Sequence, residues 1–189
     1  TVTPGDLKFA DVNNDGKITP ADRTMIGDPT PNVTYGFSLG VDYKNWSFGI
    51  DMMGQGGNQI FRTWDNYNFA QFNYLAQRMD RWHGEGTSNS QPLLNSKHSI
   101  NTLNSEYYIE DGKFFRIRNV QLAYSFDKSL LAKIRLQALK VYVNIQNLKT
   151  WKHNTGYTPE LGGTATAFGV DNGSYPVPAV YTFGINLTF

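Results

Sequence analysis

From Asp11 the chain reads D-V-N-N-D-G-K-I-T-P-A-D, which sets oxygen-bearing side chains at the first, third and fifth positions of a loop: Asp11, Asn13 and Asp15. Gly16 follows at the sixth position, where a sharp turn is needed, and the Lys17 carbonyl stands at the seventh. Thr19 falls at the ninth position, where a water usually bridges, and Asp22 closes the loop at the twelfth. Three carboxylates this close repel one another unless a cation shares them, and calcium takes six to eight such hard oxygens. The expectation is a calcium ion, with magnesium as the alternative, pinning a loop and doing no catalysis. Asp22 stands where an EF-hand carries Glu, and its shorter arm alters the closing contact. Thr19-Pro20 also reads as a helix start, with Thr19 as N-cap and Pro20 at the first helical position. An Asx-rich turn without a metal is the competing reading.

The other chemistry-bearing residues are more scattered. Phe69, Phe72, Leu75, Met79 and Trp82 stand at helical spacing and predict a loop helix ending before Gly84. Around it, Trp64, Tyr67 and Trp82 are candidates to stack on a sugar ring, against the plainer expectation that they pack on their neighbours. Arg116 and Arg118, near Glu110 and Asp111, predict a charge cluster, with ion pairs at a loop base preferred over substrate contact. His83, His98 and His153 lack ligand spacing. No nucleophile motif, phosphate loop or spaced catalytic pair appears, so no enzyme is expected.

Five segments with period-two patterning must position these loops. Tyr35, Phe37, Leu39, Val41 and Tyr43 alternate with Gly36, Ser38, Gly40 and Asp42. After Lys44-Asn45, Trp46, Phe48, Ile50 and Met52 continue the alternation, which predicts a tight hairpin. Phe115 and Ile117 share a face, then the phase switches to Val120, Leu122, Tyr124 and Phe126, so a β-bulge is expected near Arg118-Asn119. Leu139, Val141, Val143 and Ile145 make the fourth segment; Tyr181, Phe183, Ile185, Leu187 and Phe189 make the last. The expected fold is all-β. Its five strands, over residues 34–189, form a wall segment of a large antiparallel transmembrane β-barrel with long extracellular loops. Residues 1–33 form an extracellular loop with the calcium motif. Counting back from the last strand puts 54–113 and 150–179 outside, and Lys44-Asn45 and 127–138 on the periplasmic side.

Composition is compatible with that fold. The 189 residues are 40% hydrophobic, 14% aromatic and only 17% charged, with a formal net charge of +1. A mean hydropathy of -0.45 suits a wall whose strands alternate rather than run apolar. The absence of cysteine excludes a disulfide scaffold and a thiolate metal site. The charge balance offers nucleic acid no basic stripe. Thr1 to Gly5 read as the middle of a loop, so an export signal is expected upstream. A soluble calcium-dependent carbohydrate-binding module, with the strands in a sandwich, is the alternative from another class.

Several strings, in order, resemble SusC-like TonB-dependent outer-membrane transporters. They are D-V-N-N-D-G-K-I from Asp11, D-R-W-H-G-E-G-T-S-N from Asp80 and Y-I-E-D-G-K-F-F-R-I-R-N-V from Tyr108. S-L-L-A-K-I from Ser129, L-K-V-Y-V-N-I-Q-N-L from Leu139 and T-G-Y-T-P-E-L from Thr155 follow, and Y-P-V-P-A-V-Y-T-F-G-I-N-L-T-F from Tyr175 completes the set. The terminal Phe189 strand is similar to those read by the barrel-assembly machinery. The resemblance implies a bacterial outer-membrane barrel of about 22 strands with a plugged lumen, whose remainder lies upstream. It also implies a SusD-like surface lipoprotein as lid, energisation by the TonB system, and import of glycans or peptides.

Overall fold

The computed structural model describes residues 2–65, 74–94 and 99–189. It is mostly β. In chain order the strands are β1 (Val33–Tyr43), β2 (Trp46–Gly56), β3 (Gln59–Arg62), β4 (Ile109–Asp111), β5 (Phe114–Ser125), β6 (Ala138–Lys152), β7 (Val170–Asp171) and β8 (Val180–Thr188). A short helix, α1 (Lys128–Leu131), lies between β5 and β6. The five long strands form one sheet in the order β1-β2-β5-β6-β8, every neighbouring pair antiparallel. It is an open sheet, and among the described residues no closed barrel forms.

Period two carries through to the register. Tyr43 pairs with Trp46 around Lys44-Asn45, and Lys44 takes the positive φ of 53° that tight hairpin turns require. The expected bulge sits at Arg118: Asn119 pairs with Asp51, and the next pair is Ile117 with Met52. On the other side of β5 the register shifts at the same place, from Asn119 opposite Gln146 to Ile117 opposite Lys149. The bulge keeps both apolar runs of β5 on one face.

The long connections converge at one end of the sheet, here the loop end. There β3 pairs with β4 antiparallel and with β7 in parallel, making a small three-stranded sheet in the order β4-β3-β7. Gln59 N–H donates to Asp28 O at 2.8 Å and Asn32 N–H to Gly56 O at 3.0 Å, tying the first segment of the chain to the same cap. Ile60, Tyr108 and Phe114 are buried within it. At the other end, the turn end, Leu131 of α1 is buried and Asn45 Nδ2 donates to Asp127 Oδ1 at 2.7 Å, so the two short connections touch.

Candidate functional site

The main sheet has two chemically distinct faces. On one, rows of apolar residues run across the strands: Leu39, Ile50, Val120 and Ile145 are successive partners, as are Val41, Phe48, Leu122, Val143 and Phe183. Among the described residues nothing covers this face. Phe37 is 57% exposed, Phe183 77% and Ile185 66%, in the outer strands β1 and β8, each paired along one edge. A contiguous apolar surface of this size marks a partner phase or protein rather than ordinary exposure. The opposite face carries Ser38, Asp51, Asn119, Gln121, Asn144 and Thr182, with Ser38 Oγ donating to Asp51 Oδ1 at 2.7 Å.

Aromatic rings border the apolar face at both ends. At the turn end, Trp46 and Tyr124 have ring centroids 4.8 Å apart, Phe126 lies 5.0 Å from Tyr124, and Tyr43 pairs with Trp46. At the loop end Tyr35, Phe115 and Trp151 form a stack, with centroid separations of 6.4 Å and 5.6 Å. Gly54 makes room for this stack, since Tyr35 lies across the space a Cβ would take there. From Tyr35 to Tyr43 is about 27 Å along the strand at about 3.4 Å per residue. At the 35–45° strand tilt of membrane barrels this spans about 19–22 Å of bilayer, close to their roughly 25 Å apolar band between aromatic girdles. The strands, at 11, 11, 12, 15 and 9 residues, are long enough to cross.

The loop cap holds a buried charge network. Arg62 reaches Glu110 Oε1 at 2.7 Å and lies 2.8 Å from Asp65 Oδ1 as a close charge contact without hydrogen-bond alignment. Arg78, 5% exposed, donates to the Asp65 carbonyl at 3.1 Å, and Glu110 accepts from both Thr155 N–H and its hydroxyl. Burial pushes the Asp65 carboxyl upward despite Arg62 and Arg78; burial also pulls Arg62 down, but Asp65 and Glu110 outweigh it and its pKa is raised. Arg116 ion-pairs with Glu160 and bonds Thr150 at 2.7 Å, while Asp111 pairs with Lys113. The expected grouping of Arg116 and Arg118 with Glu110 and Asp111 is therefore corrected: Glu110 faces Arg62, and the bulge leaves Arg118 exposed near the Met53 sulfur. These are ion pairs at a loop base.

Of the aromatic candidates, Trp64 lies under the Arg62 guanidinium, 5.8 Å from its ring. Trp82 packs against Gly5, where a Cβ would run into its ring, and the Trp82 backbone N–H donates to Gln91 O at 2.9 Å. Tyr67 lies outside the described residues, as do Phe69 and Phe72. The described end of the predicted helix is a 3-10 turn, Ala76–Asp80, closing at Arg81 short of Trp82. His83 Nδ1 lies 3.0 Å from Arg81 O, His153 is exposed, and His98 lies outside the described residues.

The acidic loop folds as its sequence directs. Gly16 takes φ 77° and Asn14 φ 60°. Asp11 accepts from Asp15 and Gly16 N–H, Asn13 Oδ1 from Asp15 N–H, and Asp15 Oδ1 from Lys17 N–H at 2.8 Å. Thr19 caps a 3-10 turn, Pro20–Asp22, in a reciprocal capping box with Asp22. Asp22 accepts from Thr19 N–H at 2.7 Å and Val12 N–H at 2.9 Å; those backbone donors, Thr19 foremost, hold its pKa below the usual value. The donor set fits calcium in type and order, and carboxylate oxygens keep lone pairs for a second partner. The closing carboxylate is turned to the backbone, and among the described residues no three acidic or imidazole groups converge on one point.

No family model matches the sequence. TonB-dependent receptor P3 of Formosa agariphila is 32% identical over 200 residues, which cover 98% of this chain and 19% of that protein. TonB-dependent receptor SusC of Bacteroides thetaiotaomicron is 23% identical over 190 residues, covering 98% and 18%. Among solved structures, the RagAB peptide importer in its closed-closed state superposes with a TM-score of 0.74 at 26% identity, covering 92% of this chain and 19% of that one. The chain spans about a fifth of the length of the curated relatives it matches.

Proposed function

From its homology to SusC/RagA-family TonB-dependent receptors, which are transporters and not enzymes, we propose that this chain is a wall segment of an outer-membrane importer. One observation carries the reading: an exposed apolar sheet face of membrane height, bordered by aromatic rings at both ends, behind a polar face. Water would penalise that face, whereas lipid solvates it and the polar face lines an aqueous lumen. The loop end faces outward and the turn end the periplasm. The free edges of β1 and β8 pair with strands from the rest of the barrel, because unpaired backbone is not tolerated in hydrocarbon. The whole protein imports an oligosaccharide or a peptide beneath a SusD-like lipoprotein lid, with energy from the TonB system. The buried ion pairs hold the outer loops as a rigid rim, and calcium held by Asp11, Asn13, Asp15, Asp22 and the Lys17 carbonyl, with Thr19 acting through water, pins the first loop to it.

A sandwich module is disfavoured by the same face, which a second sheet would have to cover. The test is extraction of membranes carrying the full-length protein with urea and no detergent. The protein is expected to stay in the pellet and to enter detergent together with a lipoprotein partner. Release by urea alone would overturn the assignment, and competition of uptake between oligosaccharides and peptides assigns the cargo.

A further inference from the structure

Toward the loop end of the sheet some cations are paired, while Arg118 and Lys149 form no ion pair among the described residues. At the loop end Arg62, Arg78, Arg116 and Lys113 sit against carboxylates, and Lys152 Nζ donates to two carbonyls. At the turn end Lys44, Lys128, Lys133 and Arg135 are exposed, and none forms an ion pair among the described residues. The neighbouring carboxylate, Asp127, accepts from Asn45; Asp42 is paired with Ser47 on the polar face. The four cations lie at the same end of the sheet: the Lys44-Asn45 turn bonds both Ser125 and Asp127, and the connection that carries Lys128, Lys133 and Arg135 returns to the sheet where Gln137 N–H donates to Thr188 O. They stand just beyond the turn-end aromatic row. Lys44 Nζ lies 5.3 Å over the Tyr43 ring, and Leu130 in the α1 connection is 54% exposed.

We infer that Lys44, Lys128, Lys133 and Arg135 form a binding rim for anionic phospholipid headgroups. The inference rests on the reading of the sheet as a membrane wall. Aromatic and aliphatic side chains meet the acyl chains, and the next residues along the chain meet the phosphates. A cation held near an anionic bilayer surface strengthens the association about fivefold. Such a rim fixes the depth of this part of the wall without any ion pair within the protein.

The experiment uses the full-length protein in nanodiscs of phosphatidylcholine with and without phosphatidylglycerol, with lipids that survive detergent extraction counted by native mass spectrometry. Phosphatidylglycerol should be retained in preference to phosphatidylcholine. Replacing the four cations with glutamine should remove that preference, at about fivefold per charge, while Lys→Arg at Lys44, Lys128 and Lys133 should keep it. Lys149→Gln, at the loop end, should have no effect. Equal phosphatidylglycerol retention by wild type and the glutamine variant, with both inserted and heat-modifiable on gels, would overturn the rim. Failure of wild type to insert would instead overturn the wall.

Discussion

Asp22 is asked to do two things with one short side chain. Its oxygens already accept backbone N–H groups from Thr19, Val12 and Asn13. A cation at this loop must therefore share them or draw the carboxylate away. Its pKa is lowered, so its capping is present above the ordinary carboxylate range and is lost as pH falls through the folded value. Residues 11–22 should become more exchange-labile under acid, most clearly at the Thr19 amide. If calcium completes the loop, chelator should speed proteolysis here, and Asp11→Ala with Asp15→Ala should abolish the difference without unfolding the wall. Identical cleavage with and without chelator would reduce the motif to a turn. Glycine makes a second residue-scale test. A Cβ at Gly54 would sit 2.6 Å from the Phe114 carbonyl, which is backbone and cannot step aside, while one at Gly184 meets the far end of the Tyr142 ring. Gly54→Ala should cost about 1–3 kcal/mol, and Gly184→Ala less, in unfolding of the intact protein.

Among the elements, the buried ion pairs make a local prediction. Arg62 is held between Asp65 and Glu110 with only 9% of its side chain exposed. Arg62→Ala leaves Asp65 only Arg78 and Glu110 only Thr155 as partners, and should loosen the cap by up to about 3 kcal/mol, read as faster amide exchange at Phe61, with the long strands unchanged. Equal protection in the variant would show that the cap is held by its apolar residues alone. The sequence made the long strands legible because each carries an alternation sustained over seven or more residues, and a phase slip at Arg118-Asn119 marks a bulge by itself. The small sheet left no such trace. β3, β4 and β7 have four, three and two residues, too short for a period, and join segments about 50 and 110 positions apart. The partner of Arg62 could not be read for the same reason, since Glu110 and Asp111 look equivalent in sequence and only β3–β4 pairing separates them. Thr19 was readable as a cap because capping is decided within four residues.

For the molecule as a whole, the central fact is a sheet with an apolar face turned away from its own core. Its buried groups are concentrated in the loop cap and beneath α1, not under the strands. A soluble domain places its core the other way round. The most direct test compares two neighbours on β6 in the intact protein. Ile145 stands in the apolar row midway between the two aromatic borders, and Asn144 points to the polar face. Unfolding from bilayers by denaturant should show Ile145→Arg losing about 2–4 kcal/mol and Asn144→Arg much less. Equal losses, or the larger loss at Asn144, would contradict the assignment of the faces and the membrane wall with it.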